Sequence, residues 1–450
     1  MRKSVYFSEF LGSFIQRGKA SRLALVLSCA TSGLLGCATA TSTAEHGATP
    51  PPAGAGTAAE SAGTHAARTP HDPGQYVSFE AGAGGFALVS ASHPTPIVVS
   101  SKDAPGVLRA ARDLGADVGR VSSVPAPVEL DAAPAGARQV VLIGTLGQSP
   151  LLDALEHAGK LDLSELRGKW EMAITEAVDQ PLPGIDRALV IAGSDPRGTI
   201  YGIYNLSRQM GVSPWYYWDD VPARQHAEVY VLPGRHSQGE PAVKYRGFFI
   251  NDEDPALGGW ARHTFGDAPN PKHPNGFDHQ FYAKVFEVLL RLEGNYLWPA
   301  VWGRSLFDDD PKNQSLAAEY GIVMGTSHEA PMMRAQDEWN RYGKKDGPYG
   351  GTGEFSFVRN ADTLEHYWAD GIRRMNGYES IITVGMRGNG DTGMEDAQGI
   401  ELMQRIVSSQ RRIIGEVTHK DPATVPQVWS LYKEVQQYWD DGMRAPDDVI

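Results

Sequence analysis

The chain has 450 residues, 41% of them hydrophobic and 9% aromatic, enough to bury cores in two or three domains. Its formal charge of −13, with no Lys/Arg block, argues against a nucleic-acid partner, since nothing stands ready to neutralise phosphates. Both cysteines, Cys29 and Cys37, precede residue 40, which excludes a disulfide framework and a cysteine-based zinc site in the body.

Arg17, Lys19 and Arg22 precede the apolar stretch LALVLSCATSGLLGC, the pattern of an export signal. Its end, Leu34-Leu35-Gly36-Cys37, is similar to a bacterial lipobox, which predicts lipidation of Cys37 and an anchor on the bacterial cell envelope, in the periplasm or at the cell surface. The alternative is ordinary cleavage after Ala38-Thr39-Ala40; either way the protein is exported. No later stretch reaches the roughly 20 apolar residues of a spanning helix, so the membrane is met only through the anchor. Residues 38–75, rich in Ala, Thr, Gly and Pro, read as a disordered tether between a signal at 1–37 and the folded body.

Residues 76–238 alternate strands and helices and predict an N-terminal α/β sandwich domain. PIVVS (96–100), VVLIG (140–144), MAITEA (172–177) and RALVIAGSD (187–195) are its strands. Helices follow at 104–119, 149–159 and 199–212, the last opened by Ser194 or Asp195 as cap with Pro196 behind it. PWYYWDDVP (214–222) reads either as a hydrophobic hinge between domains or as an aromatic wall beside a sugar site.

Residues 239–450 carry a second alternation. The strand YRGFFIND (245–252) leads to a helix at 277–294 whose apolar positions Phe281, Val285, Val288, Leu289 and Leu292 share one face. NYLWPAVWG (295–303), IVMGTSH (322–328), SIITVGMRGNG (380–390) and QVWSLY (427–432) are the next strands. Between and after them come helices near 316–320, from Met332, from Thr363, at 395–415 and at 433–443; a sixth strand begins at Asp448. Repeated strand–helix units with polar strand ends predict a (β/α)8 TIM barrel, incomplete in this chain, with its site where the strands finish.

The strand ends carry Asn251, Asp252, Glu253 and Asp254; Asn295 and Trp298; Ser327, His328 and Glu329; and Arg387, Asn389 and Asp391. Carboxylates, amides, one arginine and tryptophans, without a nucleophile elbow, point to glycoside hydrolysis by paired carboxyl groups. Arg387 suits a two-pronged grip on a substrate carboxylate. Asp308-Asp309-Asp310 reads as a solvated acidic loop, and His328 either as a site residue or as a buried, satisfied histidine. GNGDTG (388–393) matches the dinucleotide fingerprint G-x-G-x-x-G, but it does not open a domain and the next strand lacks the ribose-binding acid, so the glycines read as a bend. His328-Glu329 does not extend to a zinc motif, since position 332 is Met, and neither metal nor cofactor is expected.

The stretch from Ser194 to Ile450 resembles glycoside hydrolase family 115, the xylan α-1,2-glucuronidases. The likeness rests on GSDPRGTIYGIYNLSRQMGVSPWYYW, YRGFFINDEDPALGGWA, FDHQFYAKVFEVLLRLEGNYLWPAVWGRSLFDDDP, EYGIVMGTSHEAPMMRAQDEW and VGMRGNGDTGM. The resemblance implies removal of (4-O-methyl)glucuronic acid from glucuronoxylan or xylo-oligosaccharides with inversion, by a protein often found as a homodimer. It implies Asp252, Glu253 and Glu329 as catalytic residues, and Asn251, Trp298, His328, Arg387, Asn389 and Asp391 as the glucuronate pocket. The chain departs from the family's S-H-H-E-P at Ser327-His328-Glu329-Ala330-Pro331, which loosens the role of Glu329. A different class of reading is an inactive truncated remnant, or a non-catalytic carbohydrate-binding protein of the surface.

Overall fold

A computed structural model describes residues 74–251, 253–394 and 399–450; the signal with Cys37 and the tether up to residue 73 lie outside them, as does Asp252. The architecture is mixed α/β. A six-stranded sheet runs in the order Arg235–Gln238, Ala173–Asp179, Arg187–Gly193, Gln139–Thr145, Ile97–Val99, Val128–Leu130. The last four strands pair in parallel and the first two join antiparallel. Ile97, Val99, Val141, Ile143, Leu189 and Ile191 face one core, while Val98, Val140, Leu142 and Val190 face another. The period of two, apolar on both faces, is why these strands read as unbroken apolar runs. Helices Pro105–Ser122 and Pro196–Gln209 cover the first face and Pro150–His157 the second. Asp195, not Ser194, caps Pro196–Gln209, accepting from the Gly198 amide at 2.9 Å. A four-stranded antiparallel sheet that includes Val229–Val231 and Phe86–Ser90 had no clear signal in the sequence, because its strands are short and half exposed.

From Gly247 onward, strands run parallel and in chain order. Gly247–Phe249 pairs with Tyr296–Trp298, and that strand with Val323–Met324. A parallel bridge joins Met324 to Ser380, Ile382–Thr383 pairs with Gln427–Val428, and a last bridge joins Gln427 to Val449. The connecting helices include His279–Arg291, Lys312–Tyr320, Phe357–Met375, Gly399–Thr418 and Glu434–Asp440. Asp278 caps the first of them, accepting from the Phe281 amide at 2.9 Å. No helix among the described residues is long and apolar enough to cross a membrane.

Several local expectations need correction. The helix expected from Met332 is a 3-10 turn, Pro331–Met333, because Met332 and Met333 both take positive φ; the regular helix is Gln336–Tyr342. The helix expected from Thr363 starts at Phe357. Helix Ala256–Phe265 went unread because Gly258 and Gly259 lower helix propensity. Gly258 lets the helix pack close to Asp254 and Arg304, whose side-chain ends would have to shift to admit a Cβ. Asp308–Asp310 is not a solvated loop. Asp309 and Asp310 are buried; Asp308 and Asp309 pair with Arg341, and Asp310 with His279.

Two buried charge clusters join the six-stranded-sheet region to the parallel run. Glu171 accepts from Arg197 and Arg246, both at 2.6 Å, and from Asn295 Nδ2 at 2.8 Å. Asn295 thus stands at the entry of its strand, remote from the strand's C-terminal end where it was expected. Asp117 on Pro105–Ser122 pairs with Arg291 on His279–Arg291 at 2.8 Å.

Candidate active site

Three loops that leave the parallel strands bring Glu253, His328, Glu329, Arg387 and Asp391 together. After Gly247–Phe249 the chain reaches Glu253, whose Oε1 accepts from the Val301 amide at 3.1 Å while Oε2 is buried with no partner. Burial raises its carboxyl above the ordinary range, against the pull of those backbone amides. After Val323–Met324 the loop folds back on itself: Thr326 Oγ1 donates to the Ala330 carbonyl at 2.6 Å and the Ala330 amide to Ser327 at 2.9 Å. This turn holds Glu329 at 3% exposure with Oε1 unpartnered. Burial pushes Glu329 up to about 7, Arg387 pulls it down, and Glu253 pushes it up again. A carboxyl that is neutral near pH 7 can give a proton to a leaving oxygen.

Beside it His328 Nε2 lies 3.2 Å from Asp391 Oδ1, and its ring centre 4.5 Å from that of Tyr432. Burial, then Arg387 and Lys433, push His328 down to about 4, so the imidazole is neutral. Arg387 follows Ile382–Thr383 and is buried, but its fork is taken. Nε and a terminal nitrogen donate to the two carboxylate oxygens of Glu434 at 2.8 and 2.7 Å, and the guanidinium also pairs with Asp391. The GNGDTG segment is a tight loop: the Gly388 amide donates to Thr392, and Gln336 bonds both Gly388 and Gly390. Gly390 takes positive φ there, so the glycines serve a bend.

Trp298 is half-buried, its Nε1 donating to Tyr296 Oη at 2.6 Å. Asn251 and Asn389 are exposed, the latter on the wall of a cavity of about 430 Å³ that Phe355, Met386 and Leu402 also line. Residues the sequence reading did not assign to the site complete the cluster: Tyr432, Lys433 and Glu434, in the segment that follows the strand Gln427–Val428. Lys433 reaches Asp391 at 2.5 Å with its side chain 48% exposed, and Tyr432 is 41% exposed. The rule that selected Arg387, polar residues at a strand's exit, would have selected these three; assigning Lys433 and Glu434 to an outer helix hid them. Among the described residues, donor atoms of His328, Glu329 and Asp391 lie within 4.8 Å of one another, a spacing a metal could use. Arg387 and Lys433 already balance Asp391, which disfavours an added cation.

Residues 238–450 match the family model "Glycosyl hydrolase family 115". A solved structure of "a novel family GH115 4-O-Methyl-alpha-glucuronidase, BtGH115A, with specificity for decorated arabinogalactans" aligns over 81% of the chain at 34% identity, with a TM-score of 0.68. The chain belongs to glycosyl hydrolase family 115. It spans 45% of the length of that family 115 structure. A Flavobacterium johnsoniae chitobiase also aligns, over 81% of this chain and 53% of its own, but at 12% identity and a TM-score of 0.44 it bears on nothing further. No curated protein matches the chain.

Proposed function

We propose that this family 115 protein is a glycoside hydrolase that releases α-1,2-linked (4-O-methyl)glucuronic acid from glucuronoxylan, by inversion. The observation that carries the reading is Glu329: buried, with an unpartnered oxygen, raised to about 7, and set beside a second raised carboxyl and two cations. In an inverting reaction a neutral carboxyl protonates the leaving oxygen while a carboxylate takes a proton from water on the opposite face. Glu329 is assigned the first role, and the Asp252-Glu253 pair the second. His328, Trp298, Asn251, Asn389 and Asp391 are assigned to the sugar. Arg387 reaches the uronate only by exchanging Glu434 for it, so its role is to hold Glu434 and Asp391 in place.

The parallel strands in chain order support a (β/α) barrel over residues 239–450, behind an α/β domain at 76–238. Export, lipidation at Cys37 and a homodimer belong to the same proposal and rest on the N-terminal sequence and on the family resemblance.

The test is release of uronic acid from glucuronoxylan and from uronate-bearing xylo-oligosaccharides, followed by anion-exchange chromatography. Glu329→Gln is expected to lower turnover by roughly 10²–10⁴-fold. Undiminished turnover in that variant would overturn the assignment. Binding of the glycan without any release would favour the carbohydrate-binding reading.

A further inference from the structure

The aromatic segment at residues 214–222 takes no part in the site described above. In the structure one side of it packs on helix His279–Arg291: Tyr216 Oη donates to Glu287 at 2.8 Å and Trp218 Nε1 to the Lys284 carbonyl at 3.3 Å. Its other side meets Trp260, from helix Ala256–Phe265. The Trp260 ring lies 5.3 Å from Trp218 and 6.5 Å from Tyr217, and remains 38% exposed. Phe281 and Phe265 support these rings from beneath, at 6.2 Å from Trp218 and 5.7 Å from Trp260. Large rings held in fixed positions at the surface mark a binding face more often than an idle one.

The neighbours say what kind. Lys284 Nζ stands 4.9 Å over the Tyr217 ring, and Asp219 and Asp220 are exposed directly after Trp218. The centre of a protein–protein interface is depleted of charge, whereas here charge is interleaved with the rings. A pyranose needs both: its C–H faces lie flat on aromatic rings, and its hydroxyls donate hydrogen bonds to carboxylates and accept them from ammonium groups. The platform's helix also follows the candidate site directly in the chain. Helix Ala256–Phe265 begins just past Glu253-Asp254-Pro255, and Gly258 in its first turn abuts Asp254 and Arg304. Trp302, two residues before Arg304, is 40% exposed.

We propose that Trp260 and Tyr217, backed by Trp218 and flanked by Asp219, Asp220 and Lys284, form a second glycan-binding platform that stacks neutral pyranose units of the chain bearing the uronate. This rests on the glycan reading of the site.

The test uses the full chain in affinity gel electrophoresis through linear xylan freed of uronate, beside a separate titration with free 4-O-methylglucuronate. Circular dichroism of each variant checks the fold. The parent and Glu329→Gln are expected to be retarded alike by the neutral xylan. The double substitution Trp260→Ala/Tyr217→Ala is expected to weaken that retardation by about tenfold or more, as loss of stacked rings requires, with uronate binding unchanged. Retardation of the double variant equal to the parent overturns the platform. So does loss in Glu329→Gln alone, which would put xylan binding in the pocket. If the parent binds uronate but is not retarded, the platform fails while the pocket stands. If it binds neither, both fail. A double variant that keeps its retardation but changes its oligomeric state in gel filtration would make the patch a protein interface.

Discussion

Arg291→Met tests how the six-stranded-sheet region is fastened to the parallel run. The Arg291 side chain is 2% exposed, and its terminal nitrogens reach Asp117 at 2.8 and 3.2 Å while Nε reaches Glu287 at 3.0 Å. Its guanidinium also sits 4.4 Å from the Tyr204 ring centre and 4.9 Å from that of Tyr216. Methionine keeps most of the length and removes the charge. Asp117, with no exposed side-chain surface, would keep only Arg120, at 2.8 Å. Breaking a buried pair from one side costs about 3–5 kcal/mol, because a charge is left in the interior; the same change in an exposed pair costs about 0–1 kcal/mol. Glu287 responds too. Against the upward push of burial, Arg291 and then Lys284 hold it down to about 2, so losing Arg291 raises it. The assay is urea unfolding at neutral pH, followed by tryptophan fluorescence and by far-ultraviolet circular dichroism. Arg291→Met should lose about 3–5 kcal/mol, and the companion Asp117→Leu/Arg291→Met should recover part of that, since the buried Asp117 carboxylate is removed together with its partner. A single variant within about 1 kcal/mol of the parent would refute the claim that this pair is a buried clamp.

Two further predictions concern pH. Glu338, buried between Arg334 and Arg374 with Ser305 donating to it, is held down to about 2: burial pushes it up, and Arg374, then Arg334, outweigh that push. A carboxyl depressed on folding adds stability above its unfolded value, and that stability is lost as pH falls through the folded one. The urea midpoint should therefore fall between pH values of about 5 and 2, and fall less steeply in Glu287→Gln, which removes another strongly depressed buried carboxyl. Equal slopes would contradict the assignment of Glu287. Glu329 has the opposite sign. Its stability contribution is present below the unfolded value of 4.5 and is lost as pH rises through about 7. Glu329→Gln should gain on the parent above pH of about 7, by up to roughly 3 kcal/mol, with the difference shrinking toward acid pH. A difference independent of pH would show that Glu329 titrates normally.

Much of this chain could be read locally. The β-branched runs at 96–100, 140–144 and 187–193 and the periodic helix around Phe281 and Leu289 declared themselves, because a buried face imposes a spacing on neighbouring residues. Strand–helix alternation then implied parallel strands, and polar strand ends named His328, Glu329, Arg387 and Asp391 before any fold was known. Spacing along the chain carries nothing about partners remote in it. Only the tertiary structure decided that Arg387 gives its fork to Glu434, 47 residues on, that Asn295 serves Glu171 and not the site, and that Asp309 and Asp310 are buried. It also decided that Glu329 holds its proton near neutral pH. A carboxyl's affinity for a proton is set by the water it has lost and the charges brought near it, and both are fixed when loops from different strands close over one place.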